Sequence, residues 1–201
     1  MNILWDFDGT LIDTYPAYTA IVREVMGDKK VSDEEIFCHL KESFSHAFHH
    51  FKLNEEQIRT IRMSARQLRP NELNPFPGVY EVLKQAEKNV IMTHKERDDV
   101  LSILAFHKLD GYFTDMVAGD DGYPRKPHTA SYEYLHEKHK LDLAIGDREI
   151  DILPAKKLGI RTCLFQNETP GADYYLNHYR DFNKKIKLYL KKNLALLGAR
   201  G

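Results

Sequence analysis

Two aspartates, Asp6 and Asp8, stand one residue apart at the end of an apolar run that begins at Ile3. The run predicts a buried strand, and the Gly9-Thr10 pair after it predicts a turn. Since side chains alternate along a strand, both carboxylates should lie on the same side. Two negative charges this close repel each other unless a cation or a shared proton relieves them. Taken alone, the pair is equally compatible with an ordinary turn that carries solvated acids.

Further polar side chains follow the ends of later predicted strands. Thr93 ends the strand predicted at 89–93, Asp147 ends the strand predicted at 143–147, and Lys126 lies in a turn flanked by prolines. In open α/β sheets, ligands bind beyond the carboxyl ends of the strands. The sequence therefore predicts one site at which acids, a hydroxyl and an ammonium group meet.

The elements that must position these residues alternate between helix and strand from Gly78 onward. This alternation predicts right-handed βαβ units and an α/β fold with a parallel sheet flanked by helices. Three predicted helices separate the first strand from the second, which places residues 14–75 in an inserted helical domain. The remaining segments, 1–13 and 76–201, should form the core domain. An edge strand is predicted at 173–176 and a final helix at 182–197.

Composition limits the class of protein. The 201 residues include 29 basic and 30 acidic side chains, so net charge does not indicate nucleic acid or an anionic membrane as a partner. No apolar segment is long enough to span a bilayer. The two cysteines, Cys38 and Cys163, form no CxxC pair and indicate reduced thiols. We therefore expect a cytoplasmic protein without a nucleic-acid or membrane partner; the sequence does not indicate its oligomeric state.

Taken in chain order, the four polar segments resemble the signatures of the haloacid dehalogenase (HAD) superfamily. The matching residues are Asp-x-Asp-Gly-Thr at 6–10, Thr93, Lys126 before a proline, and Gly-Asp-x-x-x-Asp at 146–151. An insert between the first and second signatures is similar to subclass I, which has a small α-helical cap. The resemblance implies a Rossmann-like core domain, a helical cap domain and a hydrolase similar to phosphoglycolate phosphatases.

The resemblance also implies roles for the acidic residues. Asp6 would be the nucleophile that forms an aspartyl-phosphate, and Asp8 the general acid and base. Mg²⁺ would be the cofactor, since it prefers oxygen ligands. Its site would comprise Asp6, the Asp8 carbonyl and Asp147, with Asp151 as a supporting residue.

Four residues are predicted to bind the substrate: Thr10, Thr93, His94 and Lys126. Thr93 and Lys126 would hold the phosphoryl oxygens as part of the catalytic set, because fixed donors stabilise the charge there. His94 departs from the superfamily pattern, in which Asn or Asp commonly follows the threonine. The acid at position 8 indicates phosphate chemistry, because members of the superfamily that cleave carbon–halogen bonds have no acid there.

The function expected is Mg²⁺-dependent hydrolysis of a small phosphorylated metabolite. A sugar-phosphate mutase, a pyrophosphatase or a phosphonate hydrolase of the same superfamily remains an alternative. More distant alternatives are a phosphoacceptor signalling domain, which the long helical insert disfavours, and an inactive binding module, which the crowded acids disfavour.

The insert carries three histidines, His39, His46 and His50, in a segment predicted as one amphipathic helix that ends near Phe51. They are predicted to lie opposite its aromatic face, towards solvent or substrate. His46 and His50 have the i, i+4 spacing found in zinc sites, but the sequence indicates no third ligand.

Overall fold

The computed structural model describes residues 1–27 and 30–187. The chain divides into two compact units. The sheet unit comprises Met1–Leu11 together with the described residues from Pro75 onward. The helical unit comprises Ile12–Asn74.

Parallel strands form the centre of the sheet unit. In chain order the strands are β1 (Asn2–Trp5), β2 (Ile12–Asp13), β3 (Asn74–Pro75), β4 (Lys88–Met92), β5 (Phe113–Val117), β6 (Leu143–Gly146), β7 (Arg161–Phe165) and β8 (Tyr174–Leu176). Six of them form one sheet in the order β5-β4-β1-β6-β7-β8, and every pairing in it is parallel. β2 and β3 form a separate two-stranded sheet. The predicted parallel α/β sheet is confirmed, and the predicted edge strand is β8.

Helices alternate with the strands of the main sheet. The α-helices within the described residues are α1 (Tyr15–Met26), α2 (Asp33–Glu42), α3 (Phe44–His50), α4 (Glu55–Arg66), α5 (Val79–Gln85), α6 (Arg97–Phe106), α7 (Ala130–His139) and α8 (Glu149–Lys157). Because helices cover its faces, the central strands of such a sheet are rich in buried apolar residues. Leu4 of β1 and Ala144 of β6 accordingly pack with Tyr132 and Leu135 of α7 in one buried cluster.

The helical unit has a core of its own. Its four helices, α1 to α4, contribute Val22, Ile36, Ala47 and Ile61 respectively, which are at most 1% exposed. Such burial follows from the amphipathic spacing of apolar residues along each helix.

The prediction of one continuous helix up to Phe51 is wrong at Ser43. This residue has extended backbone angles, φ −172° and ψ 158°, and its hydroxyl accepts a hydrogen bond from the His46 amide at 3.0 Å. Ser43 therefore ends α2 and caps the start of α3, a role that serine favours. Periodicity alone did not reveal the break, because Phe44 and Phe48 continue the apolar pattern across it.

The C-terminal prediction is tested only in part. A short π-helix spans Asn183–Lys187, and the rest of the predicted helix, with Leu190, Leu194 and Leu197, lies outside the described residues. Both cysteines are free thiols, as predicted. Within the described ranges, no helix combines the length and apolar character that crossing a membrane requires.

Candidate active site

The carboxyl ends of three neighbouring strands bring the predicted site residues together. Thr93, Asp6 and Asp147 directly follow β4, β1 and β6, and β1 lies between the other two strands. Trp5 pairs in register with Ile145, and the Asp6 amide donates to the Ile145 carbonyl at 2.9 Å. These backbone contacts place Asp6 and Asp147 at the same edge of the sheet.

Three buried carboxylates, Asp6, Asp147 and Asp151, form what we call the carboxylate centre. They are 3%, 0% and 1% exposed, and one oxygen from each lies within 4.8 Å of the others. Lys126, from the loop before α7, donates from Nζ to Asp6 Oδ1 at 2.6 Å and to Asp151 Oδ1 at 2.9 Å. A buried charge is tolerated when it is paired in this way. The structure thus joins four of the predicted site residues into one network.

The electrostatics of the centre follow from this crowding. Burial, together with repulsion from Asp151 and Asp147, raises the pKa of Asp6 to about 7, although Lys126 opposes the shift. Burial also acts to raise the pKa of Asp151, but Lys126 and Arg148 hold it below its ordinary value. When Asp6 is ionised, the three buried carboxylates outnumber the two cations that act on them, Lys126 and Arg148, and the excess charge is negative. The centre is therefore suited to receive a cation.

Gly146 allows Asp151 to enter the centre. A Cβ atom at Gly146 would lie 2.3 Å from the Cβ of Asp151, closer than two such atoms can approach. Asp151 lies in the first turn of α8, where its Oδ2 accepts a hydrogen bond from the Arg148 amide at 3.0 Å. The Tyr132 hydroxyl donates to the Asp151 carbonyl at 2.7 Å. These contacts explain in terms of packing why glycine stands at position 146 and aspartate at position 151.

We expect Gly146→Ala to lower the free energy of unfolding by about 1–3 kcal/mol, the cost of overfilling a packed site. It should also reduce activity, because the added methyl group displaces Asp151 from Lys126. Urea melts and steady-state rates would measure both effects. Gly111→Ala is the matched control, since a Cβ there meets no atom within 4 Å. Equal losses in the two variants would contradict this explanation.

The turn after β1 fixes the orientation of Asp6. Gly9 has φ 78°, a left-handed conformation that glycine adopts without strain. The turn brings the Thr10 hydroxyl to Asp6 Oδ2 at 3.2 Å, and the buried Tyr179 hydroxyl donates to the Thr10 carbonyl at 2.8 Å. Thr10 therefore contacts the carboxylate of Asp6, and the prediction that it contacts substrate stays a prediction.

Asp8, unlike the three acids of the carboxylate centre, is partly exposed. Its side chain is 27% exposed, and its Oδ1 lies 3.5 Å from Nζ of Lys95, which is 11% exposed. Thr93 Oγ1 accepts a hydrogen bond from the Lys95 amide at 3.1 Å, so the loop after β4 positions this lysine. Sequence reasoning missed Lys95. Its signal was its place two residues after Thr93, at the same sheet edge as Asp8.

His94 contacts the loop that carries Lys126. Its Nε2 accepts a hydrogen bond from the Lys126 amide at 2.9 Å, and its Nδ1 lies 3.1 Å from Nη2 of Arg125. Burial, Lys126 and Arg125 lower the pKa of His94 to about 4, so the ring is uncharged at neutral pH. The structure thus gives His94 a contact that positions Lys126, while the predicted contact with substrate stays a prediction.

Two further residues that sequence reasoning missed contact Asp147. Asn167 donates from Nδ2 to the Asp147 carbonyl at 2.8 Å. Arg148 Nε lies 4.0 Å from Asp147 Oδ1 and 3.8 Å from Asp151 Oδ2. Arg148 could have been noticed beside Asp147 in the sequence, whereas the position of Asn167 after β7 carried no signal.

Comparison with known proteins identifies a family and similar chains. A family model described as haloacid dehalogenase-like hydrolase matches residues 3–165. Pyrophosphatase PpaX of Halalkalibacterium halodurans is 29% identical over 192 residues, which cover 86% of each chain. Phosphoglycolate phosphatase of Vibrio vulnificus is 26% identical over 228 residues, covering 97% of this chain and 93% of the relative. The crystal structure of a HAD-superfamily hydrolase of subfamily IA from Geobacter sulfurreducens has a similar fold. It shows a TM-score of 0.69 and 21% identity, covering 91% of this chain and 94% of that one.

Proposed function

The chain belongs to the haloacid dehalogenase-like hydrolase family, and from that premise we propose that it is a Mg²⁺-dependent phosphatase acting on a small phosphate monoester through an aspartyl-phosphate. The relatives named phosphatase and pyrophosphatase support phosphate chemistry. The observation that carries the proposal is the convergence of Asp6, Asp147 and Asp151 at one edge of the sheet, where Lys126 pairs with Asp6 and Asp151.

The residues at this edge fit Mg²⁺. The carboxylate centre offers only oxygen ligands, which are the ligands that Mg²⁺ prefers. Its excess of negative charge requires a counter-ion or a retained proton. We assign Asp6 and Asp147 as ligands, with the Asp8 carbonyl, and Asp151 as the residue that supports them. When bound, Mg²⁺ would neutralise charge on the phosphoryl oxygens.

In the first step, a carboxylate oxygen of Asp6 attacks phosphorus while the bond from phosphorus to the ester oxygen breaks. The Asp8 carboxyl group donates its proton to that departing oxygen. In the second step, water attacks the phosphorus of the aspartyl-phosphate, Asp8 accepts a proton from the water, and phosphate leaves with Asp6 restored. Lys126 and Thr93 hold the phosphoryl oxygens in both steps, since both steps place charge there.

Pyrophosphate is a second candidate substrate, because a relative of 29% identity is named a pyrophosphatase. We propose that the helical unit is the cap domain that selects between such substrates. Initial rates with phosphoglycolate, other small phosphate esters and pyrophosphate, each with and without Mg²⁺, test the proposal. Release of inorganic phosphate from none of these compounds would contradict it.

Asp8→Asn should reduce kcat/KM on alkyl phosphates by about 10²- to 10⁴-fold, because the leaving alkoxide then receives no proton. An aryl phosphate whose phenolate leaves readily should lose much less of its kcat/KM, since that group departs without protonation. We compare kcat/KM because it reports the steps up to formation of the aspartyl-phosphate, whereas kcat also contains its hydrolysis, in which Asp8 acts as base for every substrate. Asp142→Asn is the control, because Asp142 is exposed and precedes β6 at the opposite edge of the sheet. An equal loss on both ester classes would exclude Asp8 as the general acid.

A further inference from the structure

Three imidazole rings meet on the helical unit, and we call them the histidine cluster. His39 lies near the end of α2, whereas His46 and His50 lie one turn apart on α3. His39 Nδ1 lies 2.9 Å from His46 Nε2, and the rings of His39 and His50 stack with their centroids 3.6 Å apart. The break at Ser43 makes this possible, because it redirects the chain so that α3 presents its two histidines to His39.

We propose that the histidine cluster binds a divalent transition-metal ion of the zinc type. Imidazole nitrogen is a favoured ligand of such ions. One nitrogen from each of the three rings lies within 4.8 Å of the others. Two nitrogens bound to one zinc ion at 2.0–2.1 Å, at a tetrahedral angle, are roughly 3.3 Å apart. His39 Nδ1 and His46 Nε2 lie 2.9 Å apart, and the three ligand nitrogens all lie within 4.8 Å of one another, so their spacing is close to that of a zinc site. Rotation of the stacked rings of His39 and His50 would direct their nitrogen lone pairs at one ion.

The surroundings of the cluster favour a cation. Glu42 Oε2 lies 2.6 Å from His46 Nε2, which makes Glu42 the candidate fourth ligand. Glu35 Oε1 lies 3.7 Å from His50 Nε2 and offers a carboxylate partner outside the ligand set. Phe51 packs edge-on against His39 and His50, at 5.3 Å and 4.9 Å between ring centroids, and holds both rings in place. His46 and His50 are exposed, so an ion can reach them from solvent.

The donor sets distinguish this site from the carboxylate centre. The histidine cluster offers nitrogen ligands to a softer ion, whereas the carboxylate centre offers oxygen ligands alone. An ion held by His39 on α2 and by His46 on α3 would join the two helices across Ser43. Because the ion binds only the folded arrangement, zinc should raise the melting temperature of the protein.

The test measures zinc binding by the full chain after removal of metal with a chelator. Protein is titrated with Zn²⁺ against a chromogenic chelator in excess Mg²⁺, and bound zinc is counted by elemental analysis. Wild type and Asp147→Asn, which disrupts the carboxylate centre, should each retain one tightly bound zinc ion. His39→Ala and His46→Ala should weaken binding by more than the roughly 10- to 100-fold that loss of an outer partner costs.

His49→Ala is the matched control, because His49 is exposed on α3 but lies outside the cluster. It should bind zinc as wild type does. Histidine side-chain NMR gives a readout that does not depend on the folding of variants: zinc should shift the ring signals of His39, His46 and His50 and leave His49 unchanged. Unchanged zinc affinity in His39→Ala, loss of the tight zinc in Asp147→Asn, or unmoved ring signals of the cluster would each overturn the proposal.

Discussion

Asp6→Asn should abolish turnover, with a loss on the order of 10⁶-fold, the scale seen when an enzyme loses its nucleophile. The amide has nearly the shape of the carboxylate but cannot attack phosphorus. The fold should persist, because the substitution removes one of three mutually repelling acids. The amide oxygen of the new asparagine can still accept the hydrogen bond from Lys126. Steady-state rates and a thermal melt measure the two outcomes together.

The covalent step has its own readout. Acid-quenched wild type should carry one phosphoryl group by intact-mass analysis during turnover, and Asp6→Asn should carry none. Asp142→Asn again serves as the control and should behave as wild type in both assays. A folded Asp6→Asn protein with wild-type rates, or one that still becomes phosphorylated, would remove Asp6 from the role of nucleophile.

Removal of Mg²⁺ should lower activity by roughly 100-fold or more, since a metal ion contributes several kcal/mol of charge stabilisation in such reactions. Activity should return when Mg²⁺ is added back. Because the pKa of Asp6 is raised to about 7 without a cation, Mg²⁺ must displace a proton there near neutral pH. The apparent affinity for Mg²⁺ should therefore weaken as the pH falls through 7.

Calorimetry in buffers of different ionisation enthalpy measures that proton release directly. We expect the number of protons released per Mg²⁺ to increase as the pH is lowered from 8 towards 6, and Asp147→Asn to bind Mg²⁺ more weakly. Full activity in excess chelator would contradict a Mg²⁺-dependent mechanism. Binding without proton release at pH 7 would show that Asp6 is already ionised in the free protein.

The sequence predicted the sheet and the carboxylate centre because their signals are local. Asp6, Thr93 and Asp147 each follow an apolar strand, and parallel strands place their carboxyl ends at one edge. Lys126 was found from its place in a turn flanked by prolines. Which oxygens Lys126 would bind could not be predicted, because that depends on how α8 packs Asp151 against Gly146.

The histidine cluster shows where sequence reasoning reached its limit. In a continuous helix, His39 and His46 would lie seven residues apart along one helix axis. The break at Ser43 instead changes the direction of the chain, so that α3 packs against α2. The only local signal was a serine placed three residues before His46, which is common at helix starts but also common elsewhere. The ion pair between Asp8 and Lys95 was missed for a similar reason, since it joins two loops that only the sheet brings close.

The strand order has a consequence for how the protein folds. The charge pair between Asp6 and Lys126 spans 120 residues, and β1 must be inserted between β4 and β6 before the carboxylate centre exists. Such non-local pairing gives a high contact order and slow folding, whereas a bundle of consecutive helices folds quickly. The helical unit, encoded entirely between β1 and β4, can thus be complete during synthesis while Asp6 is still hydrated. The repulsion between Asp6 and the acids that follow β6 therefore arises only when β1 and β6 pair, and the same pairing buries the apolar residues of both strands.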